Sequence, residues 1–163
     1  MFEDLIPELR PFAEQLLLAA GQAELHPRVT STRRSHQAQV RLYRRYVSGL
    51  SPLPAAPPGQ SAHEYGYAFD MVVTPFDALA DVGYTWQTWG GVWGGQVDPV
   101  HFQYPGFVPD ENVVQTVARS YVNLPWYVSF VTPVASTAVG GKSPLVEFGE
   151  SLGQKVCKAL GTC

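Results

Sequence analysis

Ser61 to Asp70 reads SAHEYGYAFD, a turn-forming run that leads into an apolar one. Small and polar residues open the stretch, and Gly66 interrupts it. The apolar segment after it, Tyr67 to Val73 (YAFDMVV), reads as a strand. His63 and Asp70 are seven residues apart, which suits neither one helix face nor one strand face without an intervening turn. Gly66 supplies that turn, because glycine adopts left-handed backbone without steric cost, and a strand from Tyr67 can then bring Asp70 back beside His63. Taken alone the spacing is a weak signal, since a surface histidine and a strand-end aspartate would look the same.

A second run, DPVHFQ, places Asp98 three residues before His101, where HFQY (His101 to Tyr104) is another strand candidate. Two imidazoles and one carboxylate make a suitable shell for Zn2+, and three protein ligands leave the fourth tetrahedral position open to water. Zinc lowers the pKa of such a water toward neutrality. Asp98 is then spare, close in sequence to a ligand and free to accept a proton. This division of labour needs Asp70 on the metal and Asp98 off it.

Residues 2–21 read as a helix with Leu5, Leu9, Phe12, Leu16 and Leu17 near a 3.6-residue rhythm, broken or restarted at Pro7 and Pro11 and stopped at Gly21. PRVTST (27–32) reads as a strand. Ser35 caps a helix whose Val40, Tyr43 and Val47 share a face and which stops near Gly49. SPLPAAPPGQ (51–60) is too proline-rich for regular structure and is expected to form a mobile wall beside the His63 to Asp70 stretch. A short helix is expected over Phe76 to Val82, and Tyr84 to Gly95 is an aromatic, Gly-rich stretch. Asp110 caps a helix to about Val122. A strand is expected over Tyr127 to Val134, a joint at Gly140-Gly141 and a terminal amphipathic helix from Leu145 to Leu160.

With 163 residues, 15 glycines, 14 prolines and 15% charged residues, the chain is expected to be one loop-rich α+β domain rather than a helical bundle. No stretch approaches the ~20 apolar residues that span a bilayer. MFEDLIPELR lacks the basic start and cleavage site of a secretory signal, so synthesis in the cytoplasm without a signal peptide is expected. Cys157 and Cys163 have neither metal nor redox spacing and read as incidental thiols, with a terminal disulfide as the lesser alternative. Arg28, Arg33, Arg34, Arg41, Arg44 and Arg45 fall in a segment with no acidic residue between Glu24 and Glu64. The net charge is −3 and no nucleic-acid motif is present, so this is read as a solvated helix face plus one functional arginine.

Several attractive patterns fail. His63-Glu64 begins an H-E-x-x-H motif, but position 67 is Tyr. Gly141-Lys142-Ser143 suggests a phosphate loop whose upstream glycine is instead Ser136. His26 and His36 occupy a polar loop and a helix start and read as solvated. Trp86, Trp89 and Trp93 could stack on a ligand or pack under their loop.

Ser61 to Asp70 fits the pattern S-x-H-x-x-G-x-A-x-D, and Trp89-Gly90-Gly91 and Asp98-x-x-His101-Phe102-Gln103 come after it. Together these resemble the D-alanyl-D-alanine carboxypeptidase (VanY-like) family of zinc peptidases. The second half is most similar to the bacteriophage endolysin branch of L-alanyl-D-glutamate endopeptidases. VTSTRRSHQAQ also resembles the family's upstream segment, in which an arginine before Ser binds substrate; Arg34 matches it. The resemblance runs from about Leu5 to Tyr104, leaving 105–163 as an extension of unassigned role within one domain, 1–163.

The resemblance implies an α+β fold of the hedgehog/D-Ala-D-Ala peptidase kind, with helices packed on a small antiparallel sheet and a zinc cleft across it. By the same analogy His63, Asp70 and His101 ligate Zn2+, Asp98 is the general base, and Arg34 steadies the oxyanion. Ser61 and Trp89 contact substrate or the metal's surroundings. The implied activity is hydrolysis of an L-Ala–D-Glu bond in the peptidoglycan stem peptide, a cell-wall lysis function acting outside the cytoplasm. The rivals are a D-Ala-D-Ala type carboxypeptidase and a non-catalytic zinc-fold module for wall binding or a virion. The expected partner is the stem peptide, with no nucleic acid, no stable membrane insertion and a monomeric chain.

Overall fold

The computed structural model describes residues 1–121 and Leu124. Among them the chain forms four helices, α1 (Arg10–Gln22), α2 (His36–Val47), α3 (Leu79–Thr88) and α4 (Glu111–Tyr121). Four strands, β1 (Arg28–Ser31), β2 (Ala68–Val72), β3 (Val92–Trp93) and β4 (His101–Gln103), form one sheet in the order β1-β2-β4-β3 with every pair antiparallel. The α+β architecture with a small antiparallel sheet is therefore present. None of these helices is long and apolar enough to cross a membrane.

Strand alternation gives the sheet two chemically different faces. Phe69, Met71, Val73, Trp93 and Phe102 project into the core with Leu9, Leu16, Leu79 and Trp86. Phe69 and Phe102 stack across the β2–β4 pair at a centroid distance of 5.4 Å, and Trp86 meets Phe69 edge-on at 5.6 Å. Such aromatic pairs contribute roughly 0.5–1.5 kcal/mol beyond their area burial and pin the register. The intervening residues, Asp70, His101 and Gln103, lie on the face that borders the cleft. β1 pairs irregularly, Val29 with Met71 but Ser31 with Asp70, so one residue is bulged out just before the turn that leads to α2.

Two expectations about helices need correcting. The N-terminal helix begins only at Arg10; residues before it form turns. Phe2, Leu5 and Leu9 are buried all the same, so their spacing reflected burial of turns rather than a helix. Pro11 sits at the helix start, where its missing N–H is no loss. α1 also runs through Gly21 to Gln22, and the left-handed residue after it is Glu24, at φ 60°. The second correction is α3, which continues to Thr88 instead of stopping near Val82. Tertiary burial of Trp86, 2% exposed, outweighs the weak helix propensity of its Thr- and aromatic-rich last turns.

Ser35 caps α2, its hydroxyl accepting from Ala38 N–H at 3.3 Å, and Asp110 accepts from Asn112 and Val113 N–H at 2.8 and 3.3 Å at the start of α4. Residues 51–60 are irregular. Arg28, Arg33, Arg41, Arg44 and Arg45 are exposed, while Arg34 is half-buried. The expected strand at 127–134, the Gly140-Gly141 joint, the terminal helix and both cysteines lie outside the described residues.

Candidate metal centre

The register of β2 against β4 creates the site. Asp70 lies directly opposite His101 in the ladder, and opposed residues in an antiparallel pair have Cβ atoms only about 5 Å apart. His63 arrives from a 3-10 turn, Ala62–Tyr65, immediately before β2. Gly66 ends that turn at φ 77°. A side chain there would stand 2.8 Å from the Asp4 carbonyl and 3.3 Å from Ile6 N, so glycine is needed for space as well as for backbone conformation. The turn is tied down by Tyr67 N–H to Ala62 O (2.9 Å), Ile6 N–H to Gly66 O (3.0 Å) and Arg34 N–H to His63 O (2.9 Å).

His63 Nε2, Asp70 Oδ1 and His101 Nδ1 form a triangle with sides of 3.0, 3.2 and 3.4 Å. A tetrahedral zinc ion with bonds of about 2.0–2.1 Å has ligand–ligand edges of about 3.3 Å. Among the described residues this is the one His/Cys/Asp/Glu group of three compact enough to hold a metal. Both rings are oriented from behind. His63 Nδ1 is 2.8 Å from the Thr32 carbonyl, which can only accept, so that nitrogen carries the proton. His101 Nε2 is 3.3 Å from Gln103 Oε1. With the outer nitrogens so held, the inner nitrogens face Asp70 and, when unprotonated, are the atoms free to coordinate a cation. The donor set and its spacing fit a divalent ion.

The charges around the triangle agree. Burial alone would raise Asp70, but hydrogen bonds from His101 and His63, with their charge, outweigh it and hold the carboxyl well below the usual range. Burial disfavours charge on His101, yet its contacts with Asp70, Gln103 and Asp98 push it up. Asp98 is raised: burial dominates and nearby Asp70 adds to it, against the pull of His101, His63 and Arg34. A carboxyl raised in this way suits a group that must take and release a proton.

Asp98, Arg34 and Ser61 all border the same cavity of about 540 Å³ as the three ligand candidates. Asp98 N–H bonds to Gly94 O (3.3 Å) and its carbonyl accepts His101 N–H (3.1 Å). This tight turn carries both residues. Gly94 has no room for a side chain, because a Cβ would collide with the Asp98 carbonyl and lie 3.1 Å from His101 Cβ. The Arg34 fork reaches Asp70 Oδ2 and Ser31 Oγ, each at 3.3 Å, and Gln39 Oε1 at 2.8 Å.

Trp89 does not join them. It packs on the core, edge-on to Trp86 at 6.4 Å, and borders a separate small hollow with Phe12 and Tyr104. Its place in the motif reflects packing rather than proximity to the cleft. Trp86 and Trp93 are likewise buried in the core, their indole N–H groups donating to Gln103 O and Pro99 O at 3.1 and 2.8 Å. His26 is exposed and outside the cluster. His36, also exposed, pairs with Glu64 at 2.9 Å.

Two residues at the site carried no role in the sequence reading. Gln39 is a 1%-exposed amide inside a helix, a position where an unexplained polar side chain signals a tether. Gln103 sits two residues past His101 on the same strand face, where period-2 alternation would have placed it.

The family model described as VanY, D-alanyl-D-alanine carboxypeptidase, matches residues 3–132, past the point where the motifs run out. No curated protein matches the chain significantly. Solved structures of related shape include the L,D-carboxypeptidase DacB of Streptococcus pneumoniae, at 22% identity and TM-score 0.47, covering 71% of this chain and 72% of that one. A vancomycin-resistance D,D-pentapeptidase VanY in complex with Zn(II) shows 18% identity and TM-score 0.49 over 73% and 84% of the two chains. The LD-carboxypeptidase LdcB shows 24% identity and TM-score 0.48 over 76% and 74%.

Proposed function

The chain belongs to the VanY D-alanyl-D-alanine carboxypeptidase family, and from that premise we propose that it hydrolyses an amide bond of the peptidoglycan stem peptide, using a zinc ion held by His63, Asp70 and His101. The observation that carries the reading is the triangle of donor atoms, with sides of 3.0, 3.2 and 3.4 Å, inside a cleft that also holds Asp98 and Arg34.

Zinc, when bound, supplies Lewis acidity, polarising the scissile carbonyl and acidifying water. Asp98 does the proton work. One carboxylate oxygen takes a proton from the attacking water, and the carboxyl then gives it to the amine nitrogen as the C–N bond breaks. Arg34 sets a positive guanidinium beside the carbonyl oxygen, where negative charge develops only in the transition state. Its bonds to Gln39 and Ser31 hold the fork in place before substrate arrives. Thr32 O and Gln103, behind His63 and His101, hold the two rings so that their inner nitrogens face the metal position. Leu53, Pro54, Val100 and Phe107 give the cleft apolar surface for substrate to lie against.

The bond favoured is L-Ala–D-Glu, on the strength of DPVHFQ, in an endolysin-like role. The family match favours the second reading, release of a terminal D-Ala. Mass spectrometry of purified wall incubated with the protein separates them. New D-Glu amino termini mark the first and free D-Ala marks the second, while the appearance of neither would reduce the protein to a wall-binding module.

A further inference from the structure

Ser51, Leu53, Pro54, Ala55 and Ala56 form one wall of the cleft, within a loop that has no helix or strand of its own. Such a loop gains nothing from ladder hydrogen bonds, so its position depends on tethers. One is Gln39 Nε2, which donates to Ala56 O at 2.7 Å. The others meet at Gly59. Pro57 to Gln60 forms a β-turn closed by Gln60 N–H to Pro57 O at 3.0 Å, with Gly59 at φ 80°. Pro58 and then a left-handed glycine are the residues a type II turn asks for.

Both polar backbone groups of Gly59 are taken by consecutive side chains of the turn that carries His63. Glu64 Oε2 accepts Gly59 N–H at 2.8 Å, and Tyr65 Oη donates to Gly59 O at 2.9 Å. Glu64 is itself held, accepting Ser61 N–H at 3.4 Å and meeting His36 Nδ1 at 2.9 Å. The Tyr65 ring also lies against Phe107, with centroids 5.3 Å apart. Phe107 borders the cleft from the loop after β4 and is backed by Tyr67, again at 5.3 Å. One short turn therefore touches both loops that border the metal centre.

We propose that Glu64 and Tyr65 are positioning residues that clamp the 51–60 wall to the metal-ligand turn and so hold it in place for the substrate peptide. The proposal rests on the hydrolase reading above. Neither side chain belongs to the ligand triangle or borders the cleft in which it lies. Their work is to prepay the ordering of a wall that substrate would otherwise have to fix on binding. Loss of the clamp weakens substrate binding before it touches the chemical step, so KM moves and kcat does not.

The test uses full-length, zinc-loaded Tyr65→Phe, Glu64→Gln and Glu64→Ala, with a purified stem pentapeptide as probe. Tyr65→Phe keeps the ring and deletes one neutral hydrogen bond, which predicts about fivefold faster hydrogen exchange at the bonded amides of 51–60, Gly59 and Gln60 above all, and a similar rise in KM. Zinc content, kcat and exchange in β2 stay at wild-type values. Glu64→Gln keeps an acceptor for Gly59 N–H and stays close to wild type, whereas Glu64→Ala loosens the wall at least as much as Tyr65→Phe. Unchanged exchange at 51–60 in both Tyr65→Phe and Glu64→Ala overturns the proposal. So does a fall in kcat accompanied by loss of zinc, which would mark damage to the ligand turn. If the wild type cuts no stem peptide, the hydrolase reading fails by itself; exchange and calorimetric pentapeptide affinity then decide on the clamp.

Discussion

Gln103→Leu probes the metal centre from behind without touching a ligand. In the folded chain Gln103 Oε1 receives the outer N–H of His101 at 3.3 Å, near the long end of the N–H···O range. Its backbone pairings, with Ala68 and Val92, survive the substitution, and leucine fills a similar volume. The change therefore removes one orienting bond and little else. Deleting such a partner of a metal-bound histidine costs ~10–100-fold in metal affinity. This bond is long, and the His101 side chain is still 19% exposed so that water can replace part of it. The lower end of the range applies: about tenfold, or about 1.4 kcal/mol. Competition for Zn2+ between the protein and a chromophoric chelator at neutral pH measures it directly. An affinity within about twofold of wild type, in a variant with an unshifted melting temperature, would show that His101 does not use Nδ1 toward the metal.

Other outcomes rest on the same geometry. Asp98→Ala should retain zinc and lose turnover by roughly 10²–10⁴-fold in a wall-digestion assay; unchanged turnover removes Asp98 from the mechanism. Arg34→Ala should lower turnover by roughly 10²-fold or more, read in the same assay. Stability of chelator-treated protein should depend on pH through the Asp70–His101 pair. Asp70 is held below its ordinary value, so its contribution is complete above about pH 4 and is lost as pH falls from there toward its depressed folded-state value. His101 is raised, so its contribution is complete below about pH 6.5 and is lost as pH rises past its folded-state value. The melting-temperature gap between wild type and Asp70→Asn should thus be widest between those limits, and a gap that does not vary with pH would contradict the pairing.

What could be read from the sequence, and what could not, divides along the range of the interactions involved. The convergence of His63 and Asp70 depends on one glycine turn and one short strand, both local, and Gly66 at φ 77° marks it. Bringing His101 opposite Asp70 is a long-range pairing; it was legible through the DPVHFQ motif and the family resemblance, not through spacing. The second half of α3 escaped because Gly83 and the Thr- and Trp-rich end of the segment argue locally against a helix. Burial of Trp86 and close packing of Gly83 against Trp93 decide in its favour. The first nine residues misled for the converse reason: a near-helical rhythm of Leu5 and Leu9 served buried turns. Trp89 sits in a motif yet packs away from the cleft. Gln39 works through a contact with Ala56 that spacing does not disclose. Gln103, two residues from His101, and Tyr65, six from Gly59, act over short range, and strand alternation could have pointed to Gln103.

Zinc content tests the central claim most directly. Plasma emission analysis of protein purified with zinc and freed of loose ions should find one zinc per chain in the wild type, and none once His63, Asp70 and His101 are all replaced by alanine in a folded variant. A wild type devoid of zinc, or a triple variant that keeps it, would contradict the account.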